Sequence, residues 1–123
     1  MATEIDLLTK KIFKLHKMIR FIAIINKNGK IIKSEMRTEV PSLLKNNTEE
    51  RFCQDVTIRR KMREEFDKSL GKVRFVNVER ENVSQIVLYS KTKSLFVTVE
   101  PEIPLSDKSK IISQIKKITS KVK

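Results

Sequence analysis

Residues 19–36 read IRFIAIINKNGKIIKSEM, and the first part of this stretch is apolar in both alternation classes. Phe21, Ala23 and Ile25 would share one face of an extended strand, and Ile22 and Ile24 the other. A strand apolar on both faces needs cover on both. Residues 26–29 carry a turn signal, with Asn28 and Gly29 tolerating positive φ, and Ile31 and Ile32 resume a second strand. The pattern predicts a β-hairpin whose first strand lies at the centre of a sheet.

The flanking chain supplies the cover. Ile5, Leu8, Ile12, Leu15 and Ile19 recur at helical spacing and predict a first helix over 3–18, with Thr3 as its cap and His16 beside the stripe. After the hairpin, residues 37–47 hold Pro41 and read as a loop or single turn, with Val40, Leu43 and Leu44 docked on the core. A second helix begins at Thr48, carries Phe52, Val56, Met62, Phe66 and Leu70, and ends at Gly71. Arg59 interrupts that stripe, so this helix should cover its sheet face less completely than a core helix would.

Three β-rich runs at 73–78, 83–89 and 95–99 follow, joined by turns short enough to make them antiparallel neighbours. Pro101 and Pro104 stop the last of them. The final helix opens at Ser106 or Asp107 with the stripe Ile111, Ile112, Ile115, Ile118 and Val122; lysines, Lys108 among them, fill its remaining, solvated face. The predicted class is α+β, in the order α-β-β-α-β-β-β-α. One five-stranded antiparallel sheet would have the terminal helices on one face and the middle helix on the other.

At 123 residues, one domain spanning 1–123 is expected, and 39% hydrophobic with 34% charged residues is the balance of a folded chain. The net charge of +12 favours acidic partners, whether nucleic acid, an anionic membrane surface or an acidic protein, but it also serves solubility, and composition does not choose. A single cysteine, Cys53, excludes an internal disulfide and suits a reducing cytosol. The start of the chain lacks the basic and apolar pattern of a secretory signal, and no apolar run is long enough for a membrane span, so a cytoplasmic location is expected.

Catalytic chemistry finds little to work with. Two glycines cannot build a phosphate-cradling loop, and one histidine cannot build a His-rich metal site. Cys53 reads as a small core hydrophobe and His16 as a surface or packing residue. No catalytic, cofactor or metal residue is nominated, and the expected protein is not an enzyme. The arginines carry the functional interest, because a guanidinium makes planar, bidentate contacts to carboxylate or phosphate. Arg59, Arg60 and Arg63 cluster on the second helix, and with Arg37 and Arg80 they form the candidate partner-binding set; local pairing with Glu64, Asp67 or Glu79 is the competing reading.

The order of elements resembles the roadblock and dynein-light-chain-like superfamily, which shares its general architecture with longin and profilin-like domains. Residues 24–30 (IINKNGK), Met36-Arg37, Leu43-Leu44, Lys61-Met62-Arg63, Phe66-Asp67, Leu70-Gly71 and Arg80-Glu81 are similar to an uncharacterised archaeal roadblock-like family. The resemblance implies a small non-enzymatic scaffold that homodimerises, commonly through the second helix and an edge strand, and associates with small GTPases or larger assemblies. It implies no cofactor. Two alternatives stand beside it: a basic nucleic-acid-binding protein using phosphate contacts, and a small-ligand sensor.

Overall fold

A computed structural model describes residues 4–37 and 48–119. The expected cap at Thr3, the 40–44 patch, Val122 and the side chain of Thr48 lie outside the described residues. The elements are α1 (Glu4–Phe13), β1 (Ile19–Asn26), β2 (Ile31–Met36), α2 (Thr48–Glu64), α3 (Asp67–Leu70), β3 (Val76–Glu79), β4 (Ser84–Tyr89), β5 (Lys93–Val99) and α4 (Leu105–Thr119). The order is the expected one, with the second helix in two pieces. All strands pair antiparallel in one sheet, β2-β1-β5-β4-β3.

The central strand is therefore β5, not β1. Both are apolar on both faces, but β1 is held on one side by its own hairpin partner β2, leaving β5 to bridge it to β4. A bulge at Arg20 shifts the β1 register between Ile19↔Val99 and Phe21↔Thr98. It turns Ile19 to the same face as Ile22 and Ile24.

That face packs against α1 and α4 in a core of Leu8, Ile12, Ile19, Ile22, Val97 and Ile111 with their neighbours. The opposite face packs Phe21, Ala23, Ile25, Val87 and Phe96 under Cys53 and Val56 of α2. The terminal helices and the middle helix thus cover opposite faces, as the two apolar stripes of β1 require.

The hairpin turn is built by Asn26, whose Oδ1 accepts the Asn28 and Lys30 N–H groups at 2.9 and 3.0 Å. Gly29 has φ +85°, and a Cβ there would lie 3.2 Å from Gln54 Cα and 3.5 Å from Thr57 Oγ1. The turn sits directly against α2, so only glycine meets both requirements.

The first helix ends at Phe13, five residues before its expected limit. The cause lies elsewhere in the chain: the Arg37 guanidinium donates to the carbonyls of Phe13 and His16 at 3.0 Å each and of Ile19 at 2.7 Å, holding residues 14–18 in turns. His16 is tied down as well, with Nδ1 accepting the Met18 N–H and Nε2 lying 3.0 Å from Asp107 of α4. An acid 91 residues away completes what the sequence showed as a lone histidine.

Lys108 is buried, contrary to its expected place on the solvated face of the final helix. Its ammonium donates at 2.6 Å to Glu79, beyond the end of the α4 isoleucine stripe, and Glu79 also accepts from Ser84. The Lys108 bond, then the Ser84 bond, hold the Glu79 carboxyl below its ordinary value. With the folded value below the unfolded one, the stabilisation is complete above the unfolded carboxylate range, about pH 4.3, and lost as pH falls through the folded value. Urea melts from pH 7 to pH 3 should show the native chain losing stability more steeply below pH 5 than Lys108→Met does. Parallel curves would exclude this pair as a source of acid sensitivity.

Candidate functional site

α2 has two unlike sides. Cys53, Val56 and Thr57 face the sheet and are buried, while Ile58 and Met62, four residues apart, are 57% and 59% exposed. Beyond Glu64 the helix stops. Phe66 takes a non-helical φ/ψ of −104°/6°, α3 runs for one turn, and Gly71 closes it at φ +85°. Phe66 and Leu70 are 57% and 81% exposed, so the expected stripe of Met62, Phe66 and Leu70 does not enter the core. Met62 lies on the side of α2 away from Cys53 and Val56, and Phe66 and Leu70 follow the end of α2.

The last turns of α2 lie toward the β3 side of the sheet. Arg63 donates to the Tyr89 hydroxyl at 3.0 Å, which puts this end of the helix over β4, one strand in from β3. β3 pairs only with β4 among the described strands. Val76 joins the α2-side core, and Val78, two residues on and on the same face, is partly exposed. Exposed apolar side chains next to unpaired backbone donors and acceptors form a surface suited to another chain. The opposite edge, β2, is blunted by Lys33, which pairs with Asp6 at 3.0 Å.

The five nominated arginines occupy four places. Arg60 and Arg63 converge on Tyr89, the former with its guanidinium carbon 4.7 Å from the ring centroid. Arg60 also donates to the carbonyls of Lys93 (2.8 Å) and Ser90, fixing α2 to the β4–β5 turn. Arg59 projects outward and pairs with Asp55 one helical turn earlier at 2.7 Å, a contact that raises the Arg59 pKa through the hydrogen bond and then the carboxylate charge. Arg37 holds the end of α1, away from this helix, and Arg80 donates to Gln85 Oε1 at 3.1 Å beside the β3–β4 turn. The local pairs expected with Asp67 and Glu79 give way to Asp55, Tyr89 and Gln85; Arg60 does approach Glu64, at 3.5 Å.

Sequence reasoning passed over Ile58. Its signal was available: Ile58 and Met62 step by four along a helix whose buried side is already supplied by Cys53, Val56 and Thr57, and Phe66 keeps the spacing just past its end. Among the described residues no group of three or more His, Cys, Asp or Glu could hold a metal ion, and no helix is long and apolar enough to cross a membrane.

A model of a family of unknown function, DUF6659, matches residues 4–121. No curated protein matches in sequence. Among solved structures, the chain is similar to Myxococcus xanthus MglB (15% identity, 98% of this chain and 94% of that one, TM-score 0.77). It is similar to an MglB with a tetrameric arrangement (9% identity, 98% and 93%, TM-score 0.73) and to a Roadblock/LC7 domain from Streptomyces avermitilis (11% identity, 94% and 97%, TM-score 0.64). At these identities the likeness establishes the fold, which is of the roadblock type.

Proposed function

The chain belongs to the family of unknown function DUF6659, and on that premise we propose that it is a non-enzymatic interaction module. It pairs with a second copy of itself through α2 and the β3 edge, and the pair docks a small GTPase-like protein. The observation that carries this reading is that Ile58, Met62 and Phe66 are exposed near the edge of β3 that no described strand pairs with. A two-fold axis at that edge would join two sheets and cover both apolar rows with each other. The tetrameric arrangement of an MglB of the same fold supports self-association. Arg59 and Arg63, on the same helix, supply the bidentate donors for an acidic partner, with Arg59 the more accessible.

Sedimentation velocity at tens of micromolar should find a dimer. Met62→Asp should weaken it at least tenfold, about 1.4 kcal/mol, and leave the circular dichroism spectrum unchanged. Leu7→Asp, on α1 across the sheet, should have no effect on association. A native chain that sediments as a monomer throughout that range would sink the proposal.

A further inference from the structure

We infer that the opposite face of the sheet carries a binding groove for a monomeric, single-chain anionic amphiphile: an alkyl chain ending in a carboxylate or phosphate. Where the start of α1 and the end of α4 meet the β4–β5 turn, they flank a cavity of about 890 Å³. Its floor is apolar, formed by Ile5, Leu8, Ile24, Leu88 and Leu95. This volume lies in the roughly 300–1,000 Å³ range of small-molecule sites.

The rim has a different character. Arg74, Lys91, Lys93 and Lys116 all line it, against one acid, Glu4. Elsewhere the chain neutralises many of its cations: Arg20 with Glu100, Lys33 with Asp6, Arg59 with Asp55 and Lys108 with Glu79. Among the described residues the four rim cations have no carboxylate partner, and the Lys116 ammonium lies instead 5.3 Å from the centroid of the Phe75 ring.

Floor and rim together select the ligand class. A bare inorganic anion would leave the apolar floor wet, and an uncharged lipid would leave four cations unused. A nucleic-acid strand brings phosphates but has no chain to bury among isoleucine and leucine. An anionic amphiphile satisfies both, its tail on the floor and its head among the rim cations. The free monomer is favoured over a bilayer surface because the apolar residues line a concavity between two helices rather than a protruding face.

Isothermal titration of the full chain with octanoate, decanoate and dodecanoate below their micellar concentrations tests this directly. Saturable 1:1 binding should tighten roughly tenfold for each two added carbons. Decanoate and decyl phosphate should each bind at least tenfold more tightly than decanol, and inorganic phosphate should not bind measurably. Arg74→Glu and Lys116→Glu, both at exposed positions, should each weaken decanoate several-fold, with amide shifts on binding centred on Leu88, Ser94 and Leu95.

Equal affinity for decanol and decanoate, absence of saturable binding, binding only to vesicles of anionic lipid, or shifts centred on Ile58 and Met62 would each overturn the inference. Because this groove and the α2 surface lie on opposite faces of the sheet, either reading can fail without the other.

Discussion

Replacing Arg37 with alanine is expected to lower the unfolding free energy by about 3–4 kcal/mol, although the side chain is only partly buried. Three carbonyls, those of Phe13, His16 and Ile19, accept from this one guanidinium, and its carbon also lies 5.1 Å from the centroid of the Phe13 ring. The last carbonyls of a helix have no partner within it and must find one nearby. A hydrogen bond to a charged donor contributes about 1.5–3 kcal/mol net, and three made by one group add less than threefold. Arg37→Lys should recover less than half of the loss, since an ammonium cannot place planar donors on three separated oxygens. Urea denaturation gives the magnitude, and faster amide exchange over residues 14–19 gives the location. A loss under about 1 kcal/mol would show that solvent replaces the clasp. The same geometry makes Arg59→Glu the cleaner test of partner binding, because Arg59 touches only Asp55 among the described contacts.

Ile22→Ala should cost about 3–5 kcal/mol and lower Tm by about 10–20 °C. Ile22 is 0% exposed on β1, opposite Val97 of β5 and Glu35 of β2, and it points into the cluster that holds Ile12, Ile111 and Ile115. The sheet backbone holds β1 from both sides, so the site has little freedom to collapse around the missing carbons, and the cavity term stays near its full size. By contrast, Ile58→Ala removes the same atoms from a side chain more than half exposed and should change monomer stability by under about 1 kcal/mol. Thermal melts of the two variants at low protein concentration separate core from surface. Similar losses would refute the assignment of Ile58 to an outer face.

Local periodicity carried most of the architecture, because it reports which side of each element is covered. The two faces of β1, the isoleucine stripe of α4 and the turn at Gly29 all lie where alternation and turn chemistry put them. Information held between distant residues was not legible in that way. The central position of β5 depends on β1 pairing with it across the sheet, and two strands with equally apolar faces cannot be ranked by pattern. The end of α1 depends on Arg37, and the burial of Lys108 on Glu79, 29 residues earlier in the chain. At the candidate site, Met62 and Phe66 had core-like spacing between themselves, but Cys53, Val56 and Thr57 hold the buried side of α2, which leaves both exposed. The arginines drew attention by residue type, but their partners, Tyr89 above all, were set by tertiary placement.

Midway along α2, Gln54 and Thr57 lie against Gly29, and farther on Arg60 fastens the helix to the carbonyls of Ser90 and Lys93. Two contacts of different kinds within two turns of one another oppose both rolling of the helix about its axis and sliding along it. Ile58 and Met62 are thus presented at a fixed azimuth before any partner arrives. Association on such a surface loses little conformational entropy and proceeds as rigid docking, with affinity set by how long the complex lasts rather than by how often the binding face is formed.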